Sequence, residues 1–172
     1  LAPMQFHDAA AQGAKPVLLV KNLLIRGLGG KCLSIRKASK NTGVNVLLTK
    51  CHGKAHQRWH FYADGRIKSA MKSRYSNGVK PCLSASHNNN VVMAGCGNGV
   101  DVSDRWVWKL KGQNIVSQRG VCLTAEGPPS KKKPNVYMAG CNSKPGQRWN
   151  MAWQFHKKIK PVKQAVIFKS SS

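Results

Sequence analysis

From Val17 onward the apolar positions fall in short runs: Val17-Leu18-Leu19-Val20, Leu23-Leu24-Ile25, Cys32-Leu33-Ser34-Ile35, and Val44 to Leu48. Runs of this length, broken by polar residues or by Gly27, Gly29 and Gly30, suit strands rather than helices. Asp64-Gly65 after Trp59-His60-Phe61-Tyr62 predicts a tight hairpin. Asn77-Gly78, Gly112-Gln113-Asn114 and Gly127-Pro128-Pro129 mark further turns. Nowhere do apolar residues keep helical spacing beyond a turn or two. The pattern therefore predicts an all-β chain of many short strands, a barrel or a sandwich. Residues 1–16 show no periodicity and read as a mobile arm, leaving one domain over residues 17–172. At the other end a basic tail, residues 156–172, carries Lys157, Lys158, Lys160 and Lys163 around Pro161. Its apolar run Val166-Ile167-Phe168 suits a closing strand.

The pattern also repeats. Lys31-Cys32-Leu33-Ser34, Val46 to Cys51 and Gln57-Arg58-Trp59 return as Pro81-Cys82-Leu83-Ser84, Val91 to Cys96 and Asp104-Arg105-Trp106. They return again as Val121-Cys122-Leu123-Thr124, Val136 to Cys141 and Gln147-Arg148-Trp149. Three copies, spanning about residues 17–67, 68–115 and 116–160, predict a pseudo-threefold barrel closed by a cap of hairpins. A large aromatic at the same place in each copy serves packing, so Trp59, Trp106 and Trp149 are expected in the core. Trp108 and Trp153 stand outside that set, in an exposed aromatic patch or as further filling of the barrel.

Six cysteines fall two to a repeat, which suggests a disulfide framework. The repeat selects Cys32–Cys51, Cys82–Cys96 and Cys122–Cys141, each contributing roughly 3 kcal/mol in the chain-entropy picture. No Cys-x-x-Cys and no matching His pair supports a zinc site, so neither metal nor cofactor is expected. Disulfides point to an oxidising compartment: secretion, or a periplasm before export. A first residue of Leu1 rather than Met fits a processed chain or a shortened piece, and no apolar run is long enough to span a membrane.

Charge changes the picture most. Against 29 Lys and Arg stand 5 Asp and Glu, a net charge of +24. The excess is +9 over residues 21–67, +5 over 68–115 and +10 over 116–172. Such a field attracts polyanions: sulfated glycans, nucleic acid or an anionic membrane. Nucleic acid is permitted but not favoured, because most aromatics belong to the repeats and not to an exposed stacking surface. Catalysis finds little support. Among Asp8, Asp64, Asp101, Asp104 and Glu126 no close carboxylate pair suggests glycoside hydrolysis, and the cysteines are committed.

Gln57-x-Trp59, Gln147-x-Trp149 and the degenerate Asp104-x-Trp106, in register with the cysteine pairs, resemble the Q-x-W repeats of ricin-type β-trefoil lectins. The resemblance covers about residues 17–160 and implies a β-trefoil with up to three shallow sugar pockets. In that family each pocket uses an Asp two residues after the first Cys and an aromatic two residues before the second. An Asn before the Gln completes it. Here those positions hold Ser34, Ser84 and Thr124, then Thr49, Ala94 and Ala139, then His56, Ser103 and Gly146. Tyr137 lies close to the aromatic position of the third repeat.

Two explanations compete: decayed pockets on a scaffold, or a changed ligand. Replacing Asp by Ser or Thr while accumulating Lys suits an anionic, sulfated or sialylated, cell-surface glycan, much as other trefoils such as fibroblast growth factors bind heparin through loop lysines. The candidate binding residues are Lys131, Lys132, Lys133, Lys144, Lys157, Lys158, Lys160, Tyr137 and Gln147, with Ser34, His56 and Gln57 in the first repeat. A second basic patch comprises Arg36, Lys37, Lys40, Lys50 and Lys54. The rival reading is a delivery subunit of a secreted toxin, similar to the two ricin-like subunits of cytolethal distending toxins. There the arm would dock onto other toxin subunits.

Overall fold

A computed structural model describes residues 17–72, 81–96 and 105–151. In chain order the strands are β1 (Leu18–Leu23), β2 (Cys32–Ile35), β3 (Val46–Thr49), β4 (Trp59–Tyr62), β5 (Ile67–Ser69), β6 (Pro81–Ala85), β7 (Val91–Gly95), β8 (Trp108–Lys111), β9 (Asn114–Ser117), β10 (Val121–Ala125) and β11 (Val136–Gly140). The only helical pieces among the described residues are short 3-10 turns, including Ala55–Gln57 and Pro145–Gln147. The all-β expectation holds. One sheet runs β1-β4-β5-β6-β7, a second β11-β10-β9-β8, and β2-β3 stands as a hairpin.

Turn chemistry places the hairpins where the sequence marks them. Gly65 sits at φ 88 between β4 and β5, a conformation that costs a side-chain-bearing residue dearly. The Asp64 carboxylate accepts the Arg66 N–H at 3.0 Å and pairs with its guanidinium at 3.2 Å. Gly112, at φ 58, turns β8 into β9. The Asn77-Gly78 turn, the N-terminal arm, Trp153 and the tail with its closing strand lie outside the described residues.

The threefold repeat is visible atom by atom. Hairpins β2-β3, β6-β7 and β10-β11 have matching registers, pairing Leu33 with Leu48, Leu83 with Met93 and Leu123 with Met138. Val46, Val91 and Val136 are all fully buried beside them. Each hairpin passes a backbone bond to a neighbour: Leu48 N–H to the Pro134 carbonyl, Met93 N–H to Val44 and Met138 N–H to Asn89. On the axis between them three asparagines close a ring. The Asn45 amide donates to Asn135 at 2.7 Å, Asn135 donates to Asn90 at 3.0 Å, and Asn90 donates back to Asn45. The disulfides Cys32–Cys51, Cys82–Cys96 and Cys122–Cys141 form as the repeat requires, with Cα separations of 5.0, 5.6 and 5.1 Å.

One core assignment needs correcting. The indoles of Trp59, Trp108 and Trp149 donate to the carbonyls of Leu33, Leu83 and Leu123 at 3.1, 2.9 and 3.0 Å. Trp108, not Trp106, is therefore the core tryptophan of the second repeat. Trp106 is half-buried, two residues earlier, where the other repeats carry Gln57 and Gln147. The matching Arg-Trp dipeptide drew the wrong alignment. The separation from the partner leucine, 26, 25 and 26 residues, identifies the right one.

Candidate functional site

The Asp and aromatic positions of each repeat lie on the two strands of its hairpin: Ser34 and Thr49 on β2 and β3, Ser84 and Ala94 on β6 and β7, Thr124 and Ala139 on β10 and β11. In the first repeat the 3-10 turn Ala55–Gln57 turns Gln57 inward to full burial. Its carbonyl oxygen accepts the His52 and Gly53 N–H groups at 2.8 and 3.1 Å. Its amide nitrogen donates toward Ser34 Oγ, Thr49 Oγ1 and the Lys50 carbonyl at 2.8, 2.8 and 2.9 Å. Ser34 and Thr49 are themselves 2.6 Å apart. The hydroxyls at the expected Asp and aromatic positions thus bind each other and Gln57. Ser34 is only 1% exposed, so the floor of this face is a closed hydrogen-bond network with no carboxylate to grip ring hydroxyls.

The third repeat uses the same frame differently. Gln147, also fully buried, accepts the Asn142 N–H at 2.7 Å and donates to Thr124 Oγ1 and the Gly140 carbonyl at 3.1 and 2.8 Å. Ala139 offers no side chain to complete a network. Instead Tyr137 pairs directly across the ladder with Thr124, so both project from one face of the hairpin. Tyr137 is 37% exposed, a large aromatic left at the surface beside the position where an Asp was expected. Gln57 and Gln147 are turned into the scaffold, while Tyr137 lies at the surface.

The loop joining β10 to β11 carries Lys131, Lys132 and Lys133, all exposed. Glu126 holds Lys131 at 2.6 Å, and this hydrogen bond keeps the carboxyl below its usual range. Lys31 Nζ donates to the Pro129 carbonyl at 2.7 Å, anchoring the loop to the first repeat. Lys132 and Lys133 make no ion pair among the described residues. Lys144 is exposed just before the turn Pro145–Gln147, which rests against the end of β10. The structure therefore gathers Lys131, Lys132, Lys133, Lys144, Tyr137 and Gln147 around one hairpin. Lys157, Lys158 and Lys160 lie outside the described residues.

In the first repeat Arg36, Lys37, Lys40, Lys50 and Lys54 are exposed but divided between the two ends of hairpin β2-β3. The second repeat has the least of a pocket. Ser84 donates to the Cys82 carbonyl at 3.1 Å, Ala94 is small, and Trp106 replaces the bridging glutamine. Its indole N–H is buried without a partner among the described residues. Arg105 and His87 approach at 3.0 Å, and Ser103 lies outside the described residues. No group of three potential metal ligands occurs among the described residues, and no helix there is long and apolar enough to cross a membrane.

Comparison with known proteins places this geometry. The family described as ricin-type beta-trefoil lectin domain matches residues 21–149. The ribosome-inactivating protein PMRIPt of Polygonatum multiflorum is 32% identical over 102 residues, 59% of this chain. The chain spans only 16% of that relative's length. Among solved structures, the C-half of an earthworm R-type lectin in complex with GalNAc aligns with a TM-score of 0.64 at 16% identity, over 76% of this chain and 97% of that one. A mutant of the earthworm lectin C-terminal domain in complex with 6'-sialyllactose aligns at 0.61 with 18% identity, over 76% and 97%. At such identities the structural likeness concerns the fold alone.

Proposed function

The chain belongs to the ricin-type beta-trefoil lectin domain family, and from that premise we propose that it is a glycan-binding module whose ligand is anionic. Tyr137 carries this reading: it is an exposed aromatic on the same face as Thr124, in the hairpin whose tip bears Lys131, Lys132 and Lys133. An aromatic face stacks on the apolar side of a sugar ring, while lysines supply point charges to a sulfate or carboxylate. A carboxylate in place of Thr124 would repel such a group. Of the described acids, Asp64 pairs with Arg66, while Glu126 engages Lys131 and leaves Lys132 and Lys133 as the cations of this loop without an ion pair among the described residues. The sialyllactose complex of the earthworm relative is in keeping with an acidic sugar on this fold. The three disulfides suit an extracellular, oxidising setting.

Titration with 6'-sialyllactose and a heparin-derived tetrasaccharide tests the reading. Tyr137→Ala should weaken binding roughly two- to tenfold, the loss of one stacked aromatic contact. Lys132→Ala with Lys133→Ala should lower the salt at which the protein leaves a heparin column. Unchanged binding in both variants, with folding intact by circular dichroism, would remove the third-repeat hairpin as the site. The toxin-subunit alternative rests on the arm, residues 1–16, and nothing in the described structure favours it.

A further inference from the structure

A second feature stands apart from the third-repeat hairpin, on the loop between β3 and β4. His52 and His56 lie with ring centroids 4.7 Å apart and planes tilted by 53°. His52 is exposed and His56 half-buried. The Nδ1 atom of His52 accepts the Lys54 N–H at 3.0 Å, which fixes its proton on Nε2 and aims a donor away from the loop. His56 has no such constraint. Burial, then His52, then Lys54 hold its basicity below the usual imidazole range, so at neutral pH it is uncharged.

Among the described residues, the surroundings hold cations and no carboxylate. Lys50 and Lys54 are exposed on the same segment, and the Arg58 guanidinium lies near Gly53. Of the elements packed against the turn Ala55–Gln57, β2 presents no titratable group, its Cys32 being in a disulfide. The other, β5, contributes Lys68, whose ammonium stands 5.0 Å from the Tyr62 ring centroid. Asp64 and Glu126, the described carboxylates, are paired elsewhere. A site with a fixed imidazole donor, a titratable imidazole beside it and flanking ammonium groups matches an oxyanion.

We propose that the His52–His56 pair is an oxyanion site that tightens on acidification, one proton being taken up by His56 as a sulfate or carboxylate group of a glycan binds. The sign follows from linkage. An anion stabilises the protonated imidazole, so the bound-state pKa of His56 exceeds the free-state value. Affinity then rises as pH falls through the bound-state pKa and levels off below the free-state one. This site uses neither Tyr137 nor the Lys131–Lys133 loop, and it rests on the reading of the chain as a glycan-binding module.

Calorimetric titration between about pH 7.5 and pH 5.5 with the heparin-derived tetrasaccharide, in chelator, provides the test, with 6'-sialyllactose as the carboxylate arm. Wild-type protein should gain roughly fivefold or more in affinity over that range with at least one of the two glycans, and take up a proton on binding. Acid also charges other histidines, so the decisive comparison is His56→Asn, which should lose most of the gain between pH 7.5 and pH 5.5 whatever its affinity at pH 7.5. Repeating the comparison of wild type with His56→Asn in a Tyr137→Ala background separates this site from the third-repeat one. An equal gain in His56→Asn would overturn the proposal. If that variant misfolds, the NMR-monitored pKa of His56 in the wild type serves instead: a rise with ligand supports the site, and no change overturns it.

Discussion

At the residue scale, function and scaffold separate by which way each side chain faces. Gln57, Gln147, Ser34 and Thr124 are buried polar groups satisfied by one another and by backbone, and their value lies in holding each loop against its hairpin. Gln57→Ala strands the His52 and Gly53 N–H groups, and should cost about 1–3 kcal/mol in chemical denaturation. Trp108 and Trp106 make a sharper pair. Truncating Trp108 empties a core position bonded to Leu83 and should cost about 3–5 kcal/mol. Truncating half-buried Trp106, whose N–H lacks a partner among the described residues, should cost distinctly less. An inverted order would restore the alignment that the Arg-Trp dipeptides suggest. His56 also shapes acid stability: its folded-state basicity is depressed, so its contribution is present above the ordinary imidazole pKa and is lost as pH falls. Saturating tetrasaccharide should offset that loss, seen as a larger rise in Tm at pH 5.5 than at pH 7.5.

At the element scale, the three hairpins and their disulfides were readable in the sequence because repetition turns weak local signals into one strong signal. Cys-Leu pairs, paired cysteines and Asp64-Gly65 each placed an element correctly. What escaped was the Asn45-Asn90-Asn135 ring, although its members recur at an even 45-residue interval. Asparagine carries no hydrophobic signature, so a reading based on apolar periodicity passes over it, and only the closed topology shows why three amides meet. The ring satisfies polar groups on the axis that the hairpins half-bury. Asn135→Ala removes a donor and an acceptor together and should lower stability by about 1–3 kcal/mol. Asn45→Ala combined with Asn135→Ala should cost clearly less than the two singles added, since the ring acts as a unit.

At the scale of the whole molecule, a family scaffold carries an unusual charge. Composition revealed the +24 charge at once, but composition does not arrange charges. The fold does so, setting Lys131–Lys133 at the tip of the hairpin that exposes Tyr137 and clustering Lys50 and Lys54 with the two histidines at the first repeat. Sequence comparison showed which family pocket residues were missing. It could not show that Ser34 and Thr49 close on each other, because that contact joins strands 15 residues apart. The central claim is that this trefoil holds anionic glycans where its relatives' pockets would use a carboxylate. A glycan array read at about physiological ionic strength tests it most directly, with neutral galactosides beside their sulfated and sialylated forms. Binding confined to the sulfated or sialylated forms, and weakened by Tyr137→Ala, is the predicted result. Neutral galactosides bound as tightly as their charged forms would contradict it.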